Sequence, residues 1–289
     1  QAQGHEVARP SLTISHSRAA LRRSSYLVRD EICLSRMFSH EGPLRTPRQN
    51  TVVAGSLAAI GGFVNSSGFV IIGSFTSHVT GSVGRLGSNL ANGDSSAAVF
   101  ALLLIGFFFA GSFVSALILE STPGPIARGY GFALLAEGAL LVAFMVVAGL
   151  SQSTHPHALD AQAAILCSAM GLQNALITRL SGAVIRTTHL TGVVTDLGIE
   201  AARWYRWHRR KLKILPPLLP GRTPAERPPL GRISLLYTIF FAFVGGGIAG
   251  AVLTLNISRW AMIVPTAAVL TSTLLAFRNA AKEVPPATS

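Results

Sequence analysis

Six stretches of about twenty mainly apolar residues are the feature that most constrains how this chain can fold. A helix needs about 20 such residues to cross the hydrocarbon core of a bilayer. The stretches are residues 52–74, 97–119, 129–150, 161–178, 233–257 and 260–277. Soluble proteins do not offer six runs of this kind, so the sequence predicts an all-α, polytopic membrane protein with about six transmembrane helices.

The charged residues are few and unevenly distributed. Only 12% of the 289 residues are charged, about half of the roughly 25% that is usual in soluble domains. Eight of the 24 Lys and Arg residues lie in residues 1–50 and nine lie in residues 200–232. This segregation is typical of a membrane protein with basic cytoplasmic segments rather than of a nucleic-acid-binding face. The two cysteines, Cys33 and Cys167, indicate neither a disulfide scaffold nor a zinc cluster, and we expect no metal and no cofactor.

The apolar stretches divide the chain into a tail and two membrane segments. Residues 1–50, rich in Arg and Ser, are predicted to form a disordered basic cytoplasmic tail. A transit peptide is the alternative, but the four acidic residues of this segment count against it. Residues 51–150 form the first membrane segment, and residues 160–280 form the second, which includes a basic cytoplasmic loop at 200–232. The positive-inside rule places both termini in the cytoplasm, and we expect the cell inner membrane as the location.

Two polar stretches, which follow the first and the fourth apolar run, share one sequence pattern. The pattern is T-x-H-x-T-G-x-x-x-x-L-G, with His78 in the first copy and His189 in the second. Asn65 precedes the first histidine and Asn174 precedes the second at nearly the same spacing, so one small gap separates the copies. Six identities at fixed spacing within twelve residues predict an internal duplication, which is common in secondary transporters. Each repeat would contain one helix, one T-x-H-x-T-G segment and two further helices.

The number of membrane crossings decides whether the repeats are inverted or parallel. With six crossings, the first histidine segment begins and ends outside, the second begins and ends inside, and the repeats are inverted. With eight crossings, both segments span the membrane, the repeats are parallel, and only the loops at 120–128 and 151–160 change sides. Loop 151–160 has no Lys or Arg, whereas Arg128 lies in the other loop. The positive-inside rule therefore favours six crossings.

The composition of the two polar stretches predicts broken helices. Irregular backbone persists in a membrane only where it is buried in protein or lies beside water. We interpret Thr76 and Thr187 as N-caps of short half-helices, whose N-termini suit an anion or a carbonyl group. His78 and His189 are the strongest candidates for a solute or proton path, because ionisable residues within membranes are commonly functional. The alternative is that each histidine donates to a backbone carbonyl and only fixes the break.

Further polar residues of the spans complete the candidate site. The residues that we expect to support the solute path are Thr80, Thr191, Asn65, Asn174 and Gln173. Glu137, in the middle of the third stretch, is a candidate proton carrier or else a partner in an interhelical hydrogen bond. Arg85 and Asp196 each follow a motif histidine by seven residues and have opposite charges. We predict that they pair across the two repeats; alternatively, each reaches its own membrane surface.

The two motif regions resemble a known family. Residues 65–87, with the core F-T-S-H-V-T-G, and residues 171–200, with I-R-T-T-H-L-T-G-V-V-T-D-L-G, are similar to the YoaK-like family of bacterial inner-membrane proteins, a domain of unknown function. Family members often have Asn after T-G, where this chain has Ser82. The resemblance covers about residues 50–280. It implies a multi-pass protein of the cytoplasmic membrane and implies no activity.

The residues themselves lead to two functional hypotheses. The first is a small-solute or ion transporter or channel with its site at the two T-x-H-x-T-G segments. The second is a membrane scaffold or assembly factor acting through loop 200–232, where Trp204, Tyr205 and Trp207 lie among six cationic residues that equally suit anionic lipid headgroups. Because no nucleophile–base pattern is present, we do not expect an enzyme. The expected partners are the lipid bilayer and an unidentified small solute or ion, with homo-oligomerisation left open and no nucleic acid.

Overall fold

The computed structural model describes residues 38–150, 156–181, 190–211 and 229–283. Within these ranges the chain forms α-helices and short 3₁₀ turns and contains no β-strand, so the all-α prediction is confirmed. The helices are α1 (Pro47–Ile72), α2 (Val79–Ala91), α3 (Ser95–Ser121), α4 (Ile126–Leu150), α5 (Pro156–Leu180), α6 (Leu190–Lys211), α7 (Leu230–Ile257) and α8 (Ile263–Glu283).

The helical segments that suit a membrane agree with the apolar stretches of the sequence. In the described part of the chain, five segments are long and apolar enough to span a bilayer, and the last of them is the 54-residue segment Leu230–Glu283. That segment contains α7 and α8, joined by the 3₁₀ turn Ser258–Met262. The six predicted stretches therefore correspond to α1, α3, α4, α5, α7 and α8, and the prediction of a polytopic membrane protein is confirmed.

The segment before α1 is folded, which corrects the predicted end of the tail at residue 50. Phe38 is buried, and its ring centroid lies 6.1 Å from that of Tyr130 in α4. Thr46 caps α1 in a reciprocal capping box: its hydroxyl accepts from the Gln49 N–H, and the Gln49 side chain accepts from the Thr46 N–H. The polar residues that cap a helix precede its apolar face. A helix start predicted from the change to apolar composition is therefore a few residues too late. Residues 1–37 lie outside the described ranges.

Among the described helices, the most extensive interhelical contact joins α1 to α7. A Cβ atom at Gly62 would overlap the carbonyl oxygen of Phe243, so only glycine permits this approach of the two backbones. Farther along, the Thr254 hydroxyl donates to the Ser67 hydroxyl over 2.8 Å. The contact numbers rise together along both helices, so α1 and α7 run parallel.

A second close contact joins α3 to α5. A Cβ atom at Gly171 would overlap the carbonyl oxygen of Phe108. Near the ends of the same two helices, Arg179 forms an ion pair with Glu120 over 3.0 Å. These contacts also rise together along the sequence, so α3 and α5 run parallel. Small residues allow such close packing between membrane helices.

Helices α4 and α8 pack against each other and run in opposite directions. Gly131, near the start of α4, lies against the ring of Phe277, near the end of α8. Arg259, in the turn just before α8, donates to the carbonyl oxygen of Ala148 over 3.4 Å, near the end of α4. The start of each helix therefore lies beside the end of the other, and α4 and α8 are antiparallel.

An end cluster of four residues shows which helix ends lie together. Glu41, just before α1, accepts from the Tyr130 hydroxyl over 2.6 Å. Its carboxylate also lies 3.8 Å from Nε of Arg179, which pairs in turn with Glu120. The start of α1 thus lies beside the start of α4 and beside the ends of α3 and α5.

Helices α2 and α6 occupy the edges of the bundle. Helix α2 packs mainly along α3, and α6 packs along α7. With 13 residues, α2 is about 20 Å long, which is shorter than the roughly 30 Å hydrocarbon core. Asp94 then caps α3, and the N–H of Ala97 together with the Ser96 hydroxyl lowers the pKa of this carboxyl.

Candidate functional site

The first T-x-H-x-T-G segment begins with a reversal of the chain after α1. Gly73 adopts a left-handed conformation with φ of 74°, which favours glycine. The chain then runs back along the last turns of α1. The ring of Phe75 stacks on that of Phe69 with centroids 4.4 Å apart, and the side chain of Thr76 lies against Gly68. The sequence predicted a break here, and the break is a backbone reversal.

Asn65 holds this reversal in place. Its side-chain oxygen accepts from the N–H groups of Thr76 and Ser77, each over 3.2 Å, and from the Ser77 hydroxyl over 2.9 Å. Asn65 is buried, so these bonds satisfy backbone donors that water does not reach. Asn65, predicted as a solute-path residue, has a structural role in the described contacts.

His78 lies at the start of α2, immediately after the reversal. It occupies the N-cap position, and the ring centroids of His78 and Phe75 lie 5.4 Å apart in an edge-to-face arrangement. The prediction that Thr76 caps this helix is wrong, because α2 begins three residues later and the Thr76 N–H is bound by Asn65. The His78 side chain is half-buried, and Thr80, in the first turn of α2, is exposed.

The second copy of the motif is described only in part. Thr187 and His189 lie outside the described residues, so their predicted roles rest on the sequence. Thr191 is exposed in the first turn of α6. Asn174 is half-buried and donates to the carbonyl oxygen of Met170, one turn earlier in α5, over 2.8 Å.

The predicted pair of Arg85 and Asp196 does not form in the structure. Arg85 donates to the Ser74 hydroxyl over 3.1 Å, at the reversal after α1. Asp196 forms an ion pair with Arg232, at the start of α7, over 3.2 Å. Arg85 is exposed on α2, and Asp196 is only half-buried. Each charge thus has a nearby polar partner, and pairing across the two repeats is not needed to stabilise it.

Three fully buried polar side chains form what we call the central polar site. They lie on three helices that pack against one another: Ser115 on α3, Glu137 on α4 and Gln173 on α5. None of the three has any exposed surface. Among the residues that the structure describes, no hydrogen-bond partner is present for the Ser115 hydroxyl, for either oxygen of Glu137 or for either polar atom of the Gln173 amide. Glu137 and Gln173 were predicted from the sequence, whereas Ser115 was not, because a serine within an apolar helix is common.

The members of the central polar site lie at a similar depth. On α3, α4 and α5 the end cluster contributes Glu120, Tyr130 and Arg179. Each member of the central polar site lies five to seven residues from the end-cluster residue of the same helix. At 1.5 Å per residue this is about 8–10 Å. A buried polar atom without a partner costs about 1–3 kcal/mol, so each of these three side chains is destabilising in the absence of a further hydrogen-bond partner.

A second charged network joins α6 to α7 and was not predicted. The buried Glu200 pairs with Arg203 over 2.9 Å and lies 3.8 Å from Arg232. Beyond it, the Trp204 ring stacks on that of His208, so α6 continues with an aromatic and basic face. The acidic residues of this helix could have indicated the network, since they precede the basic residues by one or two turns.

The helical spans and the polar side chains buried among them define the class of this protein, a polytopic α-helical membrane protein. The family model described as "Protein of unknown function (DUF1275)" matches residues 53–275, most of the chain, and the chain therefore belongs to this family. The resemblance of the two motif regions is thereby confirmed. The search of curated proteins and the search of solved structures each found no match.

Proposed function

We propose that this protein is a small-solute or ion transporter or channel, and that its solute binds at the central polar site. In this proposal the protein lies in the cytoplasmic membrane with six crossings, two inverted repeats and both termini inside. The observation that carries the proposal is the set of three fully buried polar side chains on α3, α4 and α5 for which the described residues supply no hydrogen-bond partner.

The contacts at the helix ends support six crossings rather than eight. With eight crossings, the ends of α3 and α5 and the start of α4 would lie on the side opposite to the start of α1. The end cluster joins these four positions through Glu41 and Arg179. Six crossings place all four on the cytoplasmic side. The antiparallel packing of α4 and α8 also fits inverted repeats, because parallel repeats would make these helices parallel.

The glycine contacts support the duplication. Gly62 of α1 meets Phe243 of α7 in the same way as Gly171 of α5 meets Phe108 of α3. A second pair of contacts repeats this relation: Gly246 of α7 meets the carbonyl oxygen of Ala59 in α1, and Gly111 of α3 meets that of Ser168 in α5. In both pairs of contacts, the same number of residues separates the α1 position from the matching α5 position. The separation between the matching α3 and α7 positions is likewise the same in both pairs.

The chemistry of the central polar site favours a proton, a small cation or a solute rich in hydrogen-bond donors. An ionised carboxylate in a buried site costs several kcal/mol unless a partner compensates its charge. Glu137 has no partner in the described part of the chain, and the amide of Gln173 and the Ser115 hydroxyl add acceptors at the same depth. Such a carboxylate either carries a proton or binds a ligand that supplies the missing charge.

The reversal after α1 offers a route toward this site. The buried Thr76 hydroxyl also has no hydrogen-bond partner within the described ranges. Gly68, against which Thr76 lies, contacts Leu166 of α5. Gln173 lies seven residues farther along α5, which is about 10 Å. In this proposal His78, half-buried at the reversal, is the first titratable group on the path, and His189 has the equivalent place on the other side.

Membrane topology is tested first, by labelling single cysteines with an impermeant thiol reagent on intact cells. In a Cys33→Ser, Cys167→Ala background, six crossings predict that Asp160→Cys is labelled and Thr122→Cys is not. Asn256→Cys and Tyr205→Cys serve as controls, because both topologies place residue 256 outside and residue 205 inside. Labelling at 122 without labelling at 160 would overturn the inverted arrangement.

Transport is tested in proteoliposomes loaded with a pH-sensitive dye for protons or with a dye selective for the cation under test. The probes are an imposed proton gradient and a panel of single cations (sodium, potassium, ammonium and methylammonium). We expect the flux of at least one of them to fall tenfold or more in Glu137→Gln, a loss of ~1.4 kcal/mol or more. The matched control is Glu283→Gln, at the exposed end of α8. Unchanged flux in a folded Glu137→Gln protein would remove Glu137 from the path.

A scaffold remains the second candidate, and the exposed face of α6 favours it. Trp204 stacks on His208, and the guanidinium of Arg209 lies 5.5 Å from the centre of the Tyr205 ring. Such a face suits a protein partner or anionic headgroups. Deletion of residues 208–228 should abolish a scaffold function and leave flux intact, whereas His78→Ala should do the reverse.

A further inference from the structure

A long groove between α3 and α4 opens toward the outside of the bundle. Its volume is about 880 Å³. Leu117 of α3 lines one wall, and Phe132 and Leu135 of α4 line the other. All three side chains are 44–51% exposed. On a membrane helix, such a surface faces lipid tails.

The length of the groove matches one leaflet of a bilayer. Its residues on α4 extend from Arg128 to Ala139 along one face of the helix. Eleven residues at 1.5 Å each give about 16 Å. Half of the roughly 30 Å hydrocarbon core is about 15 Å. An acyl chain of one leaflet can therefore lie along the whole groove.

The two ends of the groove differ in polarity. At one end, Arg128 lies with the hydroxyl-bearing residues Ser121 and Thr122, whereas Ala139 marks the apolar end. The guanidinium donates to the carbonyl oxygen of Pro123 over 3.4 Å. It has five N–H donors, and no carboxylate in the described ranges forms an ion pair with it. The polar end therefore carries a cation with spare donors at the edge of the bilayer.

We propose that this groove binds one anionic phospholipid, with the phosphate at Arg128 and one acyl chain along α4. Basic sites between transmembrane helices recognise acidic headgroups in this way. With the six-crossing topology the lipid belongs to the cytoplasmic leaflet, because Arg128 lies at the same end as the end cluster. A second copy of the chain is a poorer occupant, since the chain has a formal net charge of +12. The lipid site does not depend on transport.

The test is native mass spectrometry of the full-length protein after titration with phosphatidylglycerol or with phosphatidylethanolamine. We expect the wild-type protein to retain one phosphatidylglycerol and to retain phosphatidylethanolamine less. Arg128→Gln should weaken phosphatidylglycerol binding about fivefold, the equivalent of ~1 kcal/mol for one basic residue at a membrane surface. Arg128→Lys, which keeps the charge, should retain binding.

Two further variants test the apolar end of the groove and the specificity for Arg128. Ala139→Phe fills the apolar end of the groove and should release the lipid although Arg128 is intact. Arg278→Gln removes an exposed cation at the end of α8 and should leave binding unchanged. Equal retention of phosphatidylglycerol in Arg128→Gln, Arg278→Gln and wild type would overturn the proposal. So would a disulfide-linked dimer of Phe132→Cys, which would show that a second copy occupies the groove.

Discussion

The two halves of this protein, residues 47–150 and 156–283, are alike in how their helices pack and different in their buried polar residues. Gly62 meets the backbone of α7 as Gly171 meets the backbone of α3. At the positions related by the same steps along the sequence, Gln173 of α5 corresponds to Val64 of α1, and Ser115 of α3 corresponds to Gly250 of α7. The close glycine contacts recur in both halves. The central polar site takes Ser115 and Glu137 from the first half and Gln173 from the second, and the residues that correspond to Ser115 and Gln173 are not polar.

This difference has a physical basis. Close helix packing tolerates no added atoms, so each of the two similar contacts requires a small residue. A polar side chain inside the bundle is costly in either half. The apolar Val64 and Gly250 avoid that cost at the positions that correspond to Gln173 and Ser115.

The largest expected effect is on the glycine contacts, and it should be similar in both halves. Gly62→Ala and Gly171→Ala each place a Cβ atom on a backbone carbonyl of the neighbouring helix. We expect each to lower the free energy of unfolding by about 3 kcal/mol, the upper part of the range for overpacking. The measurement is thermal unfolding in detergent, followed by size-exclusion chromatography.

The control for this prediction is Gly84→Ala on α2, where nothing in the described part of the chain lies within 4 Å of the added atom. It should be neutral or slightly stabilising, since alanine favours a helix over glycine by up to ~1 kcal/mol. If only one of the two contact glycines were sensitive, the packing of the halves would not be equivalent.

The second prediction concerns the reversal after α1. Asn65→Ala removes the acceptor of three hydrogen bonds and leaves the N–H groups of Thr76 and Ser77 unpaired. We expect a loss of about 2–3 kcal/mol, because buried donors without partners each cost about 1–3 kcal/mol. Asn65→Asp keeps an acceptor oxygen and should lose less in the same thermal assay.

Asn174 is the asparagine of the second half that matches Asn65, so the loss of stability in Asn174→Ala can be compared with that in Asn65→Ala. An equal loss would show that Asn174 holds the second segment as Asn65 holds the first. A much smaller loss would show that the second break is supported differently.

The third prediction separates a functional from a structural role of Glu137. A side chain that stabilises the bundle lowers the melting temperature when it is replaced. A buried carboxylate without a partner is costly, so Glu137→Leu should raise the free energy of unfolding by roughly 1 kcal/mol while it abolishes flux. Ser272→Ala, which removes a hydroxyl that donates to the carbonyl oxygen of Ala268 one turn earlier in α8, should change both quantities little. A lower melting temperature of Glu137→Leu would indicate a structural role.

Much of the fold was predictable from the sequence, because the length of an apolar stretch and the distribution of Lys and Arg directly reflect the bilayer. All six predicted stretches correspond to helices of the structure. The internal pattern around His78 correctly located a break, but not its form. Whether Thr76 caps a helix or is itself bound by Asn65 depends on a chain reversal that spacing alone does not encode.

The site was less predictable, since partners across helices depend on the packing. The opposite charges of Arg85 and Asp196 suggested a pair, yet Ser74 and Arg232 lie nearer. Glu137 was recognisable because a carboxylate is rare in a span, whereas Ser115 was not. The end cluster was missed because its members are far apart in the sequence and each resembles an ordinary charge at a helix end.

The smallest expected effect on stability concerns the end cluster. This cluster lies at one end of the bundle, and Arg259 lies at the opposite end. Arg179 bridges Glu41 and Glu120 and is 42% exposed at its side chain, so solvent screens both pairs. Exposed ion pairs contribute at most about 1 kcal/mol, and Arg179→Gln should lower the free energy of unfolding by less than this. Its informative readout is the thiol accessibility of Gln173→Cys from the side of the end cluster. The six-crossing proposal places this side in the cytoplasm, so the accessibility is measured in inverted membrane vesicles. If the cluster closes the cytoplasmic end of the path, Arg179→Gln should increase the labelling rate several-fold, whereas Arg259→Gln, at the opposite end, should leave it unchanged. Equal labelling rates in the two variants would show that the cluster joins the helix ends without closing a path.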